Sequence, residues 1–136
     1  AAALLDPYIH SDSIWSCPGI GASALGKAVQ VAQQVRVGGP TTNYWMWRFD
    51  RTTPQIDNFW GKSDDECLAD LQKDNDPKIG YPTGISDIEL AVDPYFPATI
   101  PTVPTDLKGK TGHFGGRNRL MLDTHAKFLA DGRTKG

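Results

Sequence analysis

Apolar and polar residues alternate most regularly in residues 86–93, which read SDIELAVD. Ile88, Leu90 and Val92 fall on one side of an extended chain, because successive side chains of a strand point to opposite faces. The pattern therefore predicts a half-buried strand that ends at Asp93. Residues 94–104 follow with four prolines, which lack the amide donor that a sheet needs, so they predict an irregular surface loop.

Two earlier segments also have the composition of strands. Residues 43–50 are rich in aromatic side chains and predict a central strand. Its two faces would carry Tyr44, Met46 and Arg48, and Trp45, Trp47 and Phe49, respectively. Residues 22–37 are ambiguous, because their Ala, Leu, Lys and Gln favour a helix while their valines are spaced as in a strand. We favour a strand over residues 29–37.

A helix start is encoded at residues 63–66, which read SDDE. The side chain of Ser63 can accept a hydrogen bond from a first-turn amide while Glu66 reaches back to the cap amide, which is the capping-box arrangement. Acidic residues in the first turn also suit the positive end of the helix dipole. We predict a short helix from Asp64 to about Lys73, closed by Asn75, Asp76 and a proline.

The segment from His113 to Leu129 contains several glycines, a strand-like stretch and a turn. Gly112, Gly115 and Gly116 tolerate positive φ, so they predict a sharp turn or bulge that leads into a strand over residues 118–122. The strand would then enter a hairpin at residues 123–125.

The length of this hairpin loop can be argued from one residue. A two-residue type I′ turn at Asp123-Thr124 needs positive φ at both positions, which β-branched Thr124 resists. We therefore predict a three-residue loop of Asp123, Thr124 and His125. That register pairs Leu122 with Ala126 and Leu120 with Phe128, and it gathers these four residues on one face.

The length and net charge of the chain limit the kinds of protein that it can be. Its 136 residues suit one domain over residues 1–136, and 14 Gly and 10 Pro indicate many turns. The net charge of −2, with scattered Lys and Arg, offers no basic stripe for nucleic acid. The sequence contains no run of 18 apolar residues, which is the length needed to predict a membrane-spanning helix. The chain begins with Ala rather than Met, which suggests a processed or truncated product.

Two separated segments of the chain resemble the prepilin-type processing-associated H-X9-DG family. In the C-terminal segment, nine residues separate His113 from Asp123, and Gly116, Asn118 and His125 also match the family signature. In the N-terminal segment, PYI at residues 7–9 and IWSCP at residues 14–18 resemble the family's PYI…CP segment. Thr124 departs from the Gly that family members usually carry after the Asp. Residues 19–81 are not covered by the resemblance.

The resemblance implies an α+β fold, with a pilin-like antiparallel sheet and short helices, whose long N-terminal helix is missing or truncated. It implies a structural subunit of a type IV pilin-like or type II secretion pseudopilus filament, and not an enzyme. The expected partners are other pilin or pseudopilin subunits, contacted through the missing helix. The full-length precursor would be anchored in the inner membrane, and the domain would be extracytoplasmic, in the periplasm or at the cell surface.

The two cysteines, Cys17 and Cys67, leave two alternatives open. In an exported protein they could form a disulfide that adds about 3–4 kcal/mol of stability. They could also be two buried free thiols, because Cys is often simply a core residue. Two cysteines without a CxxC motif do not favour a structural zinc site or a thioredoxin-like centre.

The signature also contains candidate metal ligands in His113, Asp123 and His125, because imidazole and carboxylate bind first-row metals. The structural interpretation is stronger, since an Asp in a hairpin turn commonly accepts hydrogen bonds from nearby amides. The family analogy adds calcium as a candidate cofactor, with Asp74 and Asp76 as oxygen ligands, although the full calcium-loop spacing is missing. The chain contains no HExxH, GxSxG or P-loop motif, so no catalytic residue is expected.

The main non-filament alternative is an exported glycan- or metal-binding module. Tryptophan side chains can stack on sugars, and the chain has four of them, Trp15, Trp45, Trp47 and Trp60. Core packing is the more favoured use of those within the predicted strand.

Overall fold

A computed structural model of the protein describes residues 2–21, 25, 33–46, 58–77, 80–99 and 101–134. The chain folds into two compact units. The first unit comprises Ala1–Trp45, Val92–Asn118 and Phe128–Gly136, and the second comprises Met46–Ala91 and Arg119–Lys127.

The described residues combine a small antiparallel sheet with short helices, which confirms the α+β class. Strands β3 (Glu89–Val92), β4 (Gly116–Met121) and β5 (Ala126–Ala130) form a three-stranded sheet in the order β3-β4-β5. Strands β1 (Gln33–Gln34) and β2 (Thr41–Thr42) pair separately as an antiparallel ribbon.

The N-terminal segment is a series of single helical turns. Helix α1 (Ala2–Leu5) leads into a 3₁₀ turn at Asp6–Tyr8, a second 3₁₀ turn covers Asp12–Trp15, and helix α2 spans Pro18–Gly21. Among the residues that the structure describes, no helix has both the length and the apolar character needed to cross a membrane.

Helix α3 (Asp64–Asp74) confirms the prediction from the capping box. The Ser63 hydroxyl accepts from the Glu66 amide, and the Glu66 carboxylate accepts from the Ser63 amide at 2.7 Å. The helix ends at Asn75, which adopts the left-handed conformation with φ of 48°. Its buried residues are Cys67 and Leu71, so this helix contributes one face to the core of the second unit.

Within the described residues, the other predicted strands are shorter than their patterns suggested. Residues 85–87 form a 3₁₀ turn, so β3 begins only at Glu89. In the aromatic segment, Trp45 pairs with Val92 through two backbone hydrogen bonds of 3.0 and 3.1 Å, while residues 47–50 lie outside the described residues. Residues 29–32 of the strand predicted over residues 29–37 lie outside the described residues. In the described remainder, residues 33–37, the strand is β1.

Each unit has its own hydrophobic cluster, and each cluster contains one of the cysteines. Cys17 packs with Ile20, Leu25 and Leu107, whereas Cys67 packs with Phe59, Leu71 and Ile88. Both are free thiols. The structure thus contains two buried free thiols, the second of the two alternatives, rather than the candidate disulfide.

The C-terminal hairpin has a three-residue loop, but the loop lies one residue earlier than predicted. The Met121 amide donates to the His125 carbonyl and the Thr124 amide donates to the Met121 carbonyl, both at 2.9 Å. These bonds enclose Leu122, Asp123 and Thr124, with Thr124 at φ of 71°. A tight turn followed by one left-handed residue is a common three-residue hairpin loop.

This shift corrects the predicted register. Met121 rather than Leu122 is the last paired residue of its strand, so Leu120 lies opposite Ala126 rather than Phe128. Leu120 and Phe128, which were expected on a shared apolar face, are 41% and 52% exposed, whereas Met121 is fully buried. The prediction was wrong because it treated Thr124 as unable to adopt positive φ.

Replacing Thr124 with Gly is expected to raise the free energy of unfolding by about 1 kcal/mol, because glycine adopts positive φ without the strain of a β-branched residue. Urea denaturation of both proteins measures the difference. Thr105→Gly is the matched control, since Thr105 is exposed and has no positive φ. This control should lose up to about 1 kcal/mol through the added entropy of the unfolded chain. Equal losses in both variants would contradict the observed loop.

Candidate functional site

Three polar side chains from separate parts of the first unit converge at one point. Cys17 precedes α2, Asp93 follows β3, and His113 precedes β4. The Cys17 Sγ lies 3.2 Å from the His113 Nε2, and the same nitrogen lies 3.0 Å from the Asp93 Oδ2. Cys17 and Asp93 are 3% and 2% exposed, so this cluster, hereafter the Cys17–Asp93–His113 site, reaches solvent mainly through the partly exposed His113 side chain.

Close approach of two backbone segments allows the Cys17–His113 contact. A Cβ atom added to Gly19 would lie 2.4 Å from the Gly112 carbonyl oxygen and 3.3 Å from the His113 Cε1. Real Cβ atoms do not approach a carbonyl oxygen so closely, so glycine is required at this position. The N-terminal segment thereby packs directly against the backbone that carries His113.

The carboxylate of Asp93 is held by the first part of β4. Its Oδ2 accepts hydrogen bonds from the Asn118 amide at 2.9 Å and from the Asn118 Nδ2 at 3.0 Å. The Asp93 amide in turn donates to the Asn118 carbonyl at 3.1 Å. The two hydrogen bonds from Asn118 thus hold the Asp93 carboxylate in place beside His113.

The turn that carries His113 is fixed by a second polar contact. The Thr111 hydroxyl is buried and donates to the Gly116 carbonyl at 2.8 Å, and the Gly116 amide donates to the His113 carbonyl at 3.2 Å. These bonds close the loop from Thr111 to Gly116 on itself. The imidazole of His113 is therefore presented by a short loop tied at both ends, with its side chain 32% exposed.

Electrostatics keep the thiol of this site protonated. Burial, followed by the charge of the Asp93 carboxylate, raises the pKa of Cys17 above its ordinary value. The pKa of Tyr44 is raised as well, by burial first and then by the charges of Cys17 and Asp93. Tyr44 also packs against the hydrophobic cluster that contains Cys17.

This arrangement differs from a nucleophilic triad. In a triad, the histidine meets the nucleophile with one ring nitrogen and the carboxylate with the other, and a reactive cysteine has a lowered pKa. Here Cys17 and Asp93 both lie beside Nε2, and the pKa of Cys17 is raised. The site is therefore suited to sharing a proton or a cation among three donor atoms.

The structure groups the predicted metal ligands differently from the sequence-based expectation. His113 lies with Cys17 and Asp93, the one group of three candidate ligands found among the described residues. The His125 Nδ1 contacts the Asp123 Oδ1, which also accepts from the His125 amide at 3.3 Å, so this pair caps the hairpin turn. His113 thus belongs to the first unit, whereas the Asp123–His125 pair belongs to the second.

The expected calcium ligands, Asp74 and Asp76, lie at the C-terminal end of α3. Asp74 is the last residue of α3 and Asp76 follows the left-handed Asn75, so both flank the end of the helix. Both lie on the surface, Asp74 being exposed and Asp76 half-buried. Neither belongs to the group of candidate ligands found among the described residues.

The tryptophans are not all available for stacking on a sugar. Trp15 is 3% exposed, and Trp45 is half-buried with its ring 5.5 Å from the rings of Tyr95 and Phe96. Trp60 is 36% exposed, and Trp47 lies outside the described residues. Trp15 and Trp45 are therefore packing residues, as the core interpretation of the sequence expected for Trp45.

A second polar network of the first unit was not foreseen from the sequence. The Asp131 carboxylate accepts from the Arg117 Nη1 at 2.8 Å and from the Arg133 Nε and Nη2 at 2.8 and 2.7 Å. The Arg117 guanidinium also lies 3.7 Å from the centroid of the Tyr95 ring. In the sequence, Arg117, Asp131 and Arg133 look like ordinary surface charges, so no local pattern predicts that they form a network.

Both segments that resemble the H-X9-DG family contribute to the Cys17–Asp93–His113 site. Cys17 belongs to the PYI…CP segment, and His113 and Asn118 belong to the signature. Searches of protein-family models, of curated proteins and of solved structures found no match to this chain. Membership of the family therefore stays a prediction.

Proposed function

We propose that this chain is the headpiece of a structural subunit in a type IV pilin-like or type II secretion pseudopilus filament. The filament would assemble through a long apolar helix that precedes the headpiece in the full-length protein. Within this proposal the chain works by polymerisation and surface contact, in an extracytoplasmic location, with other pilin-like subunits as its partners.

The observation that carries the proposal is the contact between Cys17 and His113. These residues lie 96 positions apart, in the two segments whose motifs independently resemble the same family. Chance matches in unrelated places would have no reason to meet in space. Their contact at a buried site supports a single folded unit of the kind that the family resemblance implies.

Exposed apolar side chains near the N-terminal end give further support. Leu4 of α1 and Tyr8 of the following turn are 60% and 80% exposed. Filament assembly offers a use for such side chains, because a neighbouring subunit would cover them. A glycan-binding module would instead place its exposed aromatic residues around one concave site.

The coding sequence immediately before Ala1 provides the first test. A pilin-like subunit needs an apolar helix of about 20 residues there, long enough to be stored in a membrane, and its start should contain a Glu. Sequencing the encoding gene decides the point. A coding sequence that begins near Ala1, or that encodes only polar residues before it, would eliminate the proposal.

Assembly itself provides the second test. In cells that express the full-length protein, Leu4→Asp is expected to reduce the filament fraction released by shearing by about tenfold, because burial of one leucine contributes about 1.5 kcal/mol to a contact. Val37→Asp is the matched control, because Val37 is 99% exposed. Immunoblots of sheared and cell-bound fractions measure the effect. Equal filament yields from wild type and Leu4→Asp would count against assembly through this segment.

A further inference from the structure

We propose that the Cys17–Asp93–His113 site binds a zinc-class divalent cation through the Cys17 Sγ, the Asp93 Oδ2 and the His113 Nε2. The three ligand atoms lie within 4.8 Å of one another. The inference requires only these side chains, so it is independent of whether the chain forms filaments. It also replaces the ligand set that the sequence suggested.

The geometry points to a shared cation because both partners lie beside one imidazole nitrogen. A neutral histidine has either one hydrogen or one lone pair on Nε2, so a single linear hydrogen bond serves only one of the two partners. A cation beside Nε2 would instead bind the sulfur, the nitrogen and the carboxylate oxygen at once. The Cys17 thiol also has a side-chain hydrogen bond with Asp93, so the three donor atoms all contact one another. That mutual contact places them where one shared cation could bind all three.

The distances need little adjustment for coordination. In a tetrahedral zinc site, with Zn–S of about 2.3 Å and Zn–N of about 2.0 Å, the two ligand atoms lie about 3.5 Å apart, and a nitrogen–oxygen pair lies about 3.3 Å apart. The corresponding separations here are 3.2 Å for Cys17 to His113 and 3.0 Å for His113 to Asp93. An opening of about 0.3 Å at each pair would admit the ion.

The donor set selects the class of cation. Calcium and magnesium prefer shells made entirely of oxygen, so a sulfur and an imidazole nitrogen disfavour them. Zinc and cobalt accept thiolate, imidazole and carboxylate together in tetrahedral sites. With three protein ligands, the fourth position falls to water, and the partial exposure of the His113 side chain provides the way in from solvent.

Charge balance also favours a divalent cation. When the ion binds, the Cys17 thiol loses its proton to solvent and the thiolate forms the bond to the metal, while the Asp93 carboxylate supplies the second negative charge. Two buried anions then neutralise the two positive charges of the ion. Asn118 supplies the outer support, since both of its donors orient the Asp93 Oδ2.

Binding of Co²⁺ and Zn²⁺ to the purified protein tests the proposal. Wild-type protein, treated with chelator and dialysed, should bind one equivalent of Zn²⁺ by calorimetry. Co²⁺ should give the sulfur-to-metal charge-transfer band and the strong visible bands of a tetrahedral thiolate site. His113→Gln is expected to weaken Zn²⁺ binding by more than about 100-fold, and Asn118→Ala by about 10–100-fold as an outer partner.

The second cysteine gives a matched control. Cys67→Ser removes the other buried thiol and should leave the charge-transfer band intact, whereas Cys17→Ser should abolish it. Circular dichroism shows whether each variant is folded. If Cys17→Ser does not fold, Cys17→Ala serves in its place, because an apolar side chain suits the surrounding cluster.

Three results would overturn the site. The first is a wild-type protein that binds neither ion, and the second is a folded His113→Gln variant with wild-type affinity. The third is a charge-transfer band that survives loss of Cys17 and disappears with Cys67. One equivalent of metal, with the thiolate band dependent on Cys17 and His113, would establish it.

Discussion

Asp131→Asn is expected to lower the free energy of unfolding by about 3–5 kcal/mol, the range for removing one partner of a buried ion pair. Asp131 is 7% exposed, and so is Arg117. Without the carboxylate, the Arg117 guanidinium stays buried beside Tyr95 with no opposite charge from Asp131. Asn keeps the shape of Asp, so the loss reports charge rather than a cavity. Chemical denaturation of both proteins in urea measures the difference.

The effect should depend on pH in a defined direction. Hydrogen bonds from Arg133, reinforced by Arg117, hold the pKa of Asp131 well below its usual range. A carboxyl whose pKa is lowered by folding stabilises the protein above its unfolded pKa, and that contribution is lost as pH falls toward the folded pKa. The difference between wild type and Asp131→Asn should therefore be constant at neutral pH and shrink below about pH 4.

Asp106→Asn is the matched control for this network. Asp106 belongs to the same unit and is exposed, so its substitution should change the free energy of unfolding by less than about 0.5 kcal/mol. A loss at Asp131 no larger than at Asp106 would show that the network contributes little to stability. A difference that does not diminish in acid would show that the loss does not come from the charge of Asp131.

Local patterns predicted the parts of the fold that depend on neighbouring residues. The capping box placed the start of α3 correctly, because Ser63 and Glu66 satisfy each other's backbone amides within one turn. Alternation located β3, although the 3₁₀ turn at Ile85–Asp87 shortened it. The family resemblance implied the coarse α+β class, and the helix and strand signals agree with it because they depend only on neighbouring residues.

The hairpin register shows where local rules failed. Both the predicted and the observed loops have three residues, so loop length did not distinguish them. The choice depended on whether Thr124 could adopt positive φ, and the structure places it at 71°. Burial of Met121 offsets that strain, which is a tertiary effect that turn preferences do not contain.

The candidate site could be predicted only in part. The signature drew attention to His113, and the PYI…CP segment drew attention to Cys17, but nothing in the sequence indicated that they would touch. Asp93 appeared only as the end of a strand. A contact between residues 96 positions apart depends on how loops pack, which local patterns do not describe. The sequence did hold one signal for the Cys17–His113 contact, because both segments resemble the same family.

Gly19→Ala is expected to destabilise the protein by about 3 kcal/mol, because the new Cβ would lie 2.4 Å from the Gly112 carbonyl oxygen and backbone cannot yield as a side chain does. The same methyl group would lie 3.3 Å from the His113 Cε1, so the distance between Cys17 and His113 should also increase.

Gly132→Ala separates this clash from the general effect of adding a methyl group. A Cβ at Gly132 would meet nothing within 4 Å, so this variant should be neutral or gain about 0.4–1 kcal/mol from reduced unfolded-state entropy. Thermal and urea denaturation of the two variants measure the contrast. If Gly19→Ala were as stable as Gly132→Ala, the N-terminal segment would not approach the signature this closely. The contact on which the proposed function depends would then lose its physical basis.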